Sequence, residues 1–318
     1  MSDIKSLLVG INYKNTDNKL FGAINDTTMI SQFMISSMKV PKSQIILCND
    51  DSFIKPTKSN ILKLIKDTIT EINNDDKLTT FWFHYSGHGS YKLDKNGDED
   101  KQNDIIDGDG LDGYDECLVT IDNELLLDDE LNELFSLLNK NKKLICVFDC
   151  CHSGTALDLP YKYEYKNNKL KVDNNMNKIK CNAVLLSACK DIELATDAYK
   201  LSKKYKYVGA FTLSLLNSFK KKKELKIDYI MNYAYHYLKK YNMDQVPQVS
   251  TNKKINNNTR LIRNKSENII SMKIIKYEKY ITYFLSKYKK TGNKIYLGYI
   301  KKYRNRVSEL KNFLVNIF

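Results

Sequence analysis

Two short segments of the chain combine side chains that are typical of nucleophilic catalysis. The first, VFDCCHSGTA, places the thiol of Cys151 two residues after Asp149, at the end of an apolar run. The second, FWFHYSGHGS, places His88 at the end of another apolar run. A cysteine thiol has an ordinary pKa of about 8.5, so an imidazole that takes its proton supplies the nucleophile at neutral pH. The two segments predict a thiol–imidazole pair with Cys151 as nucleophile and His88 as base.

Strand geometry adds a carboxylate and a hydroxyl to this pair. Side chains alternate between the two faces of a strand, so Asp149 should share a side with Cys151, and Ser86 with His88. If the two strand ends are neighbours, the four side chains surround one site. Glycines beside His88 let backbone N–H groups approach a substrate oxygen, and we predict an oxyanion site at the backbone of Gly89 and Cys151.

The elements that must position these residues follow an α/β pattern, in which short apolar runs alternate with longer amphipathic runs. Strands are predicted at 5–11, 44–48, 79–85, 144–148 and 183–187, with part of a hairpin at 116–122 and a short extended piece at 245–251. Helices are predicted at 26–38, 59–73, 128–138, 210–219 and 227–239. Both motifs fall at the carboxyl ends of strands, where the binding sites of open parallel sheets lie.

Composition limits the class of protein. The 318 residues suffice for one large domain with an appendage or for two domains. The seven cysteines form an odd set without a CxxC pair, which indicates reduced thiols. The first residues lack the pattern of a signal peptide, and no run of eighteen apolar residues occurs. These observations predict a cytoplasmic protein, with the nucleus as the other compartment.

The positive charge of the chain is concentrated at its end. The net charge is +13, and residues 251–318 hold 17 Lys or Arg against three acids, which leaves 34 basic and 35 acidic residues before them. Apolar residues from Ile270 to Tyr288 keep helical spacing, so the segment is predicted to be helical. A solvated helix pair is the commonest explanation for such a segment. Contact with nucleic acid or an anionic membrane is the alternative.

The two motifs together resemble those of the metacaspases, relatives of the caspases among the cysteine peptidases. The resemblance covers residues 7–251, and the supporting strings are LLVGINY, FGAIND, DGYDECLVTID, HSGTALDLPY, LLSACKD, VGAFTLSLL and QVPQVST. It implies a caspase-like α/β fold with a mainly parallel central sheet, flanked by helices on both faces. We therefore predict a peptidase domain at 1–257, with a large-subunit-like part at 1–160 and a small-subunit-like part at 182–257. The polar, aperiodic composition of 160–181 predicts an exposed linker between these parts, and the basic helical extension at 258–318 has no counterpart in the resemblance.

The resemblance implies roles for particular residues. His88 is the base, Cys151 the nucleophile, and Cys150 a neighbour that faces the core. The pocket for the substrate side chain maps onto Asp26, Ser86 and Asp149, and two carboxylates there favour Arg or Lys before the scissile bond. The substrates would be proteins or peptides, and relatives of this type tend to be monomers.

The resemblance also implies activation by Ca²⁺, with ligands at Asp115, Asp128, Asp129 and Asp158. Four carboxylates suit a hard cation that prefers oxygen ligands. Without the resemblance, Asp128 and Asp129 would be read as helix-capping acids and Asp115 as a turn residue. Asp26 could equally be an acid at the start of a helix.

Alternatives remain at several other positions. Lysines of the linker could be sites of self-cleavage or part of a solvated loop, and the chain could be a catalytically silent binding protein with a caspase fold. His84 lies within a strand, where we predict a hydrogen-bonded structural histidine.

Overall fold

The computed structural model describes most of the chain. The described residues are 2–93, 114–151, 156–165, 169–172, 178–188, 197–199, 202, 204–221, 225–243, 245–262 and 265–317. They form two compact units, Met1–Asn257 and Asn258–Phe318.

A sheet of eight strands organises the first unit. Its strand order is β2-β1-β3-β7-β10-β13-β8-β9; the first five are parallel and the last three antiparallel. The strands are β1 (Ile4–Gly10), β2 (Ile45–Asn49), β3 (Thr80–Ser86), β7 (Lys143–Asp149), β8 (Tyr161–Glu164), β9 (Lys169–Val172), β10 (Asn182–Ser187) and β13 (Gln248–Thr251). Two smaller sheets join β4 (Gly89–Leu93), β5 (Tyr114–Val119) and β6 (Leu125–Leu127), and β11 (Asp197–Tyr199) and β12 (Tyr207–Gly209).

Helices cover both faces of the large sheet. They are α1 (Ala23–Ser36), α2 (Lys58–Asn74), α3 (Asp128–Ser136), α4 (Ala210–Lys221) and α5 (Ile227–Lys240). Apolar residues of α2 and α3 share a buried cluster with Phe81, Phe83 and Tyr85 of β3. On the opposite face, Phe219 of α4 packs on Trp82 and stacks on Phe33 of α1. The prediction of a mainly parallel sheet between two helical layers is confirmed.

The central strands are buried because they are apolar on both sides. Every residue of β3 and β7 is buried, and the two strands lie side by side in the middle of the sheet. Burial of one large apolar side chain contributes roughly 1.5–3 kcal/mol. This packing fixes the strand ends from which the two motifs continue.

The interpretation of 160–181 as an exposed linker is wrong for part of that segment. Residues of β8 pair with β13, and β9 pairs with β8, so the segment extends the sheet beyond β13. Tyr and Val favour strands. An edge hairpin needs only one buried face, so lysines can alternate with these residues, and the segment then lacks the continuous apolar run that predicts a strand. Glu164 and Ile179 of this segment are buried.

His84 is buried without the hydrogen bonds predicted for it. The side chain has no accessible surface, and neither ring nitrogen has a hydrogen-bond partner. Burial lowers the pKa of His84 to about 3. The ring is therefore a neutral histidine in an apolar environment.

The second unit contains two long helices, α6 (Lys265–Thr291) and α7 (Ile295–Ile317). Phe284 of α6 stacks on Tyr299 and Tyr303 of α7, with ring centroids 4.9 and 6.0 Å apart. The prediction that this basic segment is helical is confirmed. None of the helices, as far as they are described, is long and apolar enough to cross a membrane.

Candidate active site

The two motifs lie side by side because their strands are neighbours in register. Ser86, the last residue of β3, pairs with Asp149, the last residue of β7. Beyond them, Gly87 N donates to the carbonyl of Asp149 at 3.4 Å. A methyl group on Gly89 would collide with the carbonyl oxygen of Cys151, so the close approach of the two chains requires glycine here.

Cys151 differs from the other described cysteines in its accessibility. It is half-buried, whereas five cysteines are buried: Cys48, Cys117, Cys146, Cys150 and Cys181. Burial raises the pKa of Cys48 and of Cys181 to about 12, which keeps both as unreactive thiols. Cys189 lies outside the described residues. Cys151 is thus the described thiol that a substrate can reach.

The ring of His88 is held by a backbone carbonyl. Its Nε2 lies 2.7 Å from the oxygen of Asn18, and its ring packs against Tyr13 with centroids 4.7 Å apart. A carbonyl oxygen can only accept, so Nε2 carries a proton, and in the neutral ring Nδ1 is the basic atom. A ring in this state can accept a proton at Nδ1.

Strand alternation correctly predicts that the side chains of Ser86 and Asp149 lie on the same face of the sheet. Its prediction that His88 shares this face with Ser86 is wrong. Tyr13, against which His88 packs, belongs to the same buried cluster as Tyr85, on the face opposite to Ser86. The reason is that β3 ends at Ser86, and the two residues that follow do not continue the extended strand.

The three residues expected to form a substrate pocket lie together. Ser86 Oγ donates to Asp26 Oδ2 at 2.7 Å, and a methyl group on Gly209 would collide with the carboxylates of both Asp26 and Asp149. Asp26 has no accessible surface, and the side chains of Ser86 and Asp149 are buried. Two carboxylates are thus concentrated around one backbone position, where a cation would be favoured.

Sequence reasoning missed the backbone that holds these carboxylates. Gly209 N donates to Asp26 Oδ1, and Thr212 N donates to Asp149 Oδ2, each at 2.8 Å. Both N–H groups lie at the beginning of α4, where the helix dipole favours negative charge. The string VGAFT contains this turn, but its function is visible only once β12 brings Gly209 beside α1.

The oxyanion prediction rests on two backbone positions. Gly89 begins β4 and lies against the main chain of Cys151, so the two predicted donors are adjacent. Residues 152–155, which follow the thiol, lie outside the described residues. The oxyanion role stays a prediction.

The expected calcium ligands come from three parts of the chain. Asp128 is buried at the start of α3; its carboxylate accepts the N–H groups of Glu116 at 3.0 Å and Asp129 at 2.7 Å. Asp129 lies 3.9 Å from Lys178. Asp115 lies in β5, but its side chain is outside the described part of the structure. In the parts that are described, no three His, Cys, Asp or Glu side chains are grouped as a metal site.

One buried oxygen near Asp158 suits a hard cation. Asn132 lies one turn after Asp128 on α3, and its amide nitrogen donates to Leu157 O at 3.0 Å and contacts Asp158 Oδ2 at 3.5 Å. Its Oδ1 is buried and accepts no hydrogen bond. Carboxylate and amide oxygens are the ligands that Ca²⁺ takes in proteins, so the residues present fit this ion.

Comparisons with known proteins show which family the first half of the chain resembles. Residues 4–160 match the family model of the metacaspase, peptidase C14 domain. Metacaspase-1A of Neurospora crassa is 36% identical over 169 residues, 51% of this chain and 34% of that protein, and Metacaspase-1 of Schizosaccharomyces pombe is equally similar, with 36% of its length covered. The chain thus spans about a third of the length of these relatives. Inactive metacaspase-4 of Trypanosoma brucei brucei is 29% identical over 275 residues, 80% of this chain and 73% of that protein.

The fold has a counterpart among solved structures. Protein GSU0716 of Geobacter sulfurreducens superposes with a TM-score of 0.52 at 20% identity, covering 80% of this chain and 94% of that one. This likeness supports the caspase-like fold alone. Residues 4–160 are thus a metacaspase, peptidase C14 domain.

Proposed function

We propose that this protein is a calcium-activated cysteine endopeptidase that cleaves after Arg or Lys in protein and peptide substrates. The observation that carries the proposal is the register of β3 and β7, which pairs Ser86 with Asp149 at the ends of the two strands, two residues before His88 and Cys151. A half-buried thiol, a histidine with a basic Nδ1 and two carboxylates then lie at one end of the sheet.

The proposed reaction has two steps. The Sγ of Cys151 gives its proton to His88 and attacks the scissile carbonyl, and the backbone N–H groups of Gly89 and Cys151 hold the oxyanion. The C–N bond breaks when His88 returns the proton to the leaving amine, which leaves a thioester on Cys151. Water then attacks this thioester with His88 as base, and the acid product and free thiol are released.

In the proposed recognition of Arg or Lys, the carboxylates of Asp26 and Asp149 have different roles. Asp149 keeps 5% of its surface accessible and Asp26 none, so we assign the contact with the substrate cation to Asp149 and Ser86. Asp26 contributes its charge through the hydrogen bond to Ser86. Both aspartates are anchored by backbone N–H groups, which leaves their negative charges in place before substrate binds.

Peptide hydrolysis tests this specificity. We expect wild type to cleave peptides with Arg or Lys before the scissile bond and to ignore Asp. Asp149→Asn keeps an acceptor for Thr212 N but removes the charge, and it should lower kcat/KM for Arg peptides by at least about 100-fold.

Gly209→Ala provides the steric counterpart of this charge test. Its methyl group would push the carboxylates of Asp26 and Asp149 apart, so a similar loss is expected. Gly298→Ala is the matched control, because no heavy atom lies within 4 Å of the added methyl group. Equal rates for Arg and Asp peptides, or full activity of Asp149→Asn, would contradict the assignment.

Calcium would be held by the carboxylates of Asp115, Asp128, Asp129 and Asp158. These residues belong to β5, the start of α3 and the segment before β8, and a cation bound there would offset the charge of their carboxylates. Since Asp158 follows Cys151 by only seven residues, a cation held by Asp158 would help to fix the position of the thiol. The positive φ of Asp158, 46°, is a conformation that such a ligand would help to maintain.

The calcium site predicts the behaviour of an isosteric variant. Asp158→Asn should weaken calcium binding in calorimetry by about tenfold or more and raise the calcium concentration needed for half-maximal activity equally. Asp228→Asn, which changes a carboxylate on α5, is the control and should bind calcium like wild type. Unchanged calorimetric titration of Asp158→Asn would refute this ligand.

A second candidate function is favoured by one face of α6. Six exposed side chains recur at spacings of three and four residues and therefore share a face; they are Lys273, Lys276, Tyr280, Tyr283, Lys287 and Lys290. Lys276 Nζ lies 5.8 Å from the ring of Tyr280, and Lys287 Nζ lies 5.6 Å from that of Tyr283. Lysines flanking accessible aromatic rings suit single-stranded nucleic acid, in which phosphates and bases alternate.

Oligonucleotide binding tests this second function. Tyr283→Ser combined with Lys287→Ala should weaken binding of a fluorescent single-stranded oligonucleotide about tenfold, because it removes one stacking ring and one cation. Lys301→Ala combined with Tyr299→Ser makes the same changes on α7 as a control. Binding to anionic liposomes without oligonucleotide binding, or equal losses in both variants, would contradict the assignment.

A further inference from the structure

Two buried tyrosines form hydrogen bonds with the backbone of His88, one at its N–H and the other at its carbonyl. Its N–H donates to Tyr13 Oη at 2.9 Å, and its carbonyl accepts from Tyr85 Oη at 2.8 Å. β3 has already ended at Ser86, so hydrogen bonds from β1 and β7 no longer fix this residue. The two tyrosine hydroxyl groups provide hydrogen bonds in place of those that strand pairing would give to the His88 backbone.

The hydroxyl of Tyr13 has one consistent set of hydrogen bonds around His88, because it donates to Val119 O at 2.6 Å and accepts the N–H of His88. The single proton of Tyr85 is shared among three nearby acceptors, which are Val119 O at 2.7 Å, His88 O at 2.8 Å and Tyr13 Oη at 3.0 Å. Burial raises the pKa of both tyrosines well above the ordinary value, so each keeps its single proton. A phenylalanine at position 13 would leave the His88 N–H without this acceptor.

Tyr13 adopts a conformation that is rare for an aromatic residue. Its φ is +47°, in the left-handed region, which an aromatic residue adopts only where the surroundings enforce it. Asp50 supplies that enforcement, because its Oδ1 accepts from Asn12 N at 2.8 Å and its Oδ2 from Lys14 N at 3.1 Å. The carboxylate is buried just after β2 and thereby holds the residues on either side of Tyr13.

The same loop also holds the ring of His88. Tyr13 packs against the imidazole, and the carbonyl of Asn18 fixes Nε2. Leu20 N donates to Asn12 O at 2.9 Å and closes the loop between these contacts. One loop, braced by Asp50, therefore sets the position, the ring plane and the tautomer of His88.

We propose that Tyr13 is a positioning residue for His88 and that Asp50 acts through Tyr13. The proposal rests on the proposed function, since it assigns His88 the role of base toward Cys151. Without the Tyr13 hydroxyl, the His88 main chain would rotate toward another acceptor, and its Nδ1 would move away from the direction that accepts the thiol proton. The reaction would slow while substrate binding at Asp149 stayed intact.

Tyr13→Phe tests the proposal, with Tyr163→Phe as the matched control. Tyr163 Oη accepts from Ile255 N at 2.9 Å, so the control removes an equivalent hydrogen bond on β8, three strands from β7. We expect Tyr13→Phe to lower kcat for an Arg peptide about tenfold with KM within about twofold of wild type. The control should keep both constants.

A second readout does not require peptidase activity. The rate of iodoacetamide alkylation at Cys151 is measured against pH, with Cys151→Ser as background, because thiolate formation depends on His88. Tyr13→Phe should shift this profile by about half a pH unit or more, and Asp50→Asn should shift it in the same direction. Tyr163→Phe should superpose on wild type.

The outcomes separate the two proposals. A wild type that is alkylated in a His88-dependent manner but cleaves no peptide refutes the peptidase and leaves the positioning role supported if the profile shifts. Wild-type kinetics and an unshifted profile in both Tyr13→Phe and Asp50→Asn overturn the positioning role. Urea unfolding of each variant identifies loss of folding, in which case the less disruptive of the two variants decides.

Discussion

The Cys151→Ala variant should lose hydrolysis of Arg peptides by at least ~1000-fold, because no other described thiol can replace the nucleophile. Cys150→Ala is the matched control at the adjacent position. Cys150 has no accessible surface and belongs to the cluster that contains Tyr85, so we expect its removal to change kcat/KM by no more than a few-fold. His88→Gln should resemble Cys151→Ala, since an amide can donate to Asn18 O but cannot take the thiol proton.

Progress curves with Arg, Lys and Asp peptides, with and without millimolar calcium, provide the measurement. Lys178 and Lys180 are exposed ahead of β10, so wild type incubated with calcium should also cut itself in this segment. Cys151→Ala should stay intact under the same conditions. Activity in Cys151→Ala, or its loss in Cys150→Ala alone, would contradict the nucleophile. A flat curve for wild type in every condition would instead favour a catalytically silent protein, as the name of the related trypanosome protein describes that relative.

The parts of the fold that could be predicted from the sequence are those whose signal is local. β1, β3, β7 and β10 are apolar on both faces, and their ends differ from the predicted ends by at most one residue. β8 and β9 could not be predicted in this way. Their strands exist because β13 offers an edge to pair with, and this partner lies more than eighty residues away in sequence.

The candidate site shows the same division. Asp149 and Ser86 were predictable as neighbours because both end regular parallel strands, where alternation and register hold. His88 lies two residues further, where tertiary contacts with Tyr13 and Asn18 decide the direction of the ring. Gly209 and Thr212 escaped prediction because backbone N–H groups carry no side-chain signal in a sequence.

Acid should destabilise the first unit because of His84. In the folded state burial lowers the pKa of this imidazole to about 3, whereas in the unfolded chain it should be near 6.5. Between these values the unfolded state binds a proton that the folded state does not. The free energy of unfolding therefore falls as pH drops below 6.5, by roughly 1.4 kcal/mol per pH unit, and the loss at pH 5 is about 2 kcal/mol.

His84→Leu removes this titration and the two ring nitrogens that lack hydrogen-bond partners. We expect the variant to be at least as stable as wild type at pH 7.5, because a buried polar group without a partner is costly. Between pH 7.5 and 5 it should lose about 2 kcal/mol less of its unfolding free energy than wild type loses.

His236→Leu is the control, since His236 is exposed on α5 and its replacement should leave the pH dependence of wild type unchanged. Urea unfolding followed by the fluorescence of Trp82, the single tryptophan and a neighbour of His84 on β3, measures this unit directly. Parallel pH dependences for His84→Leu and wild type would show that His84 takes up its proton without unfolding, through an opening of the sheet that admits water to β3.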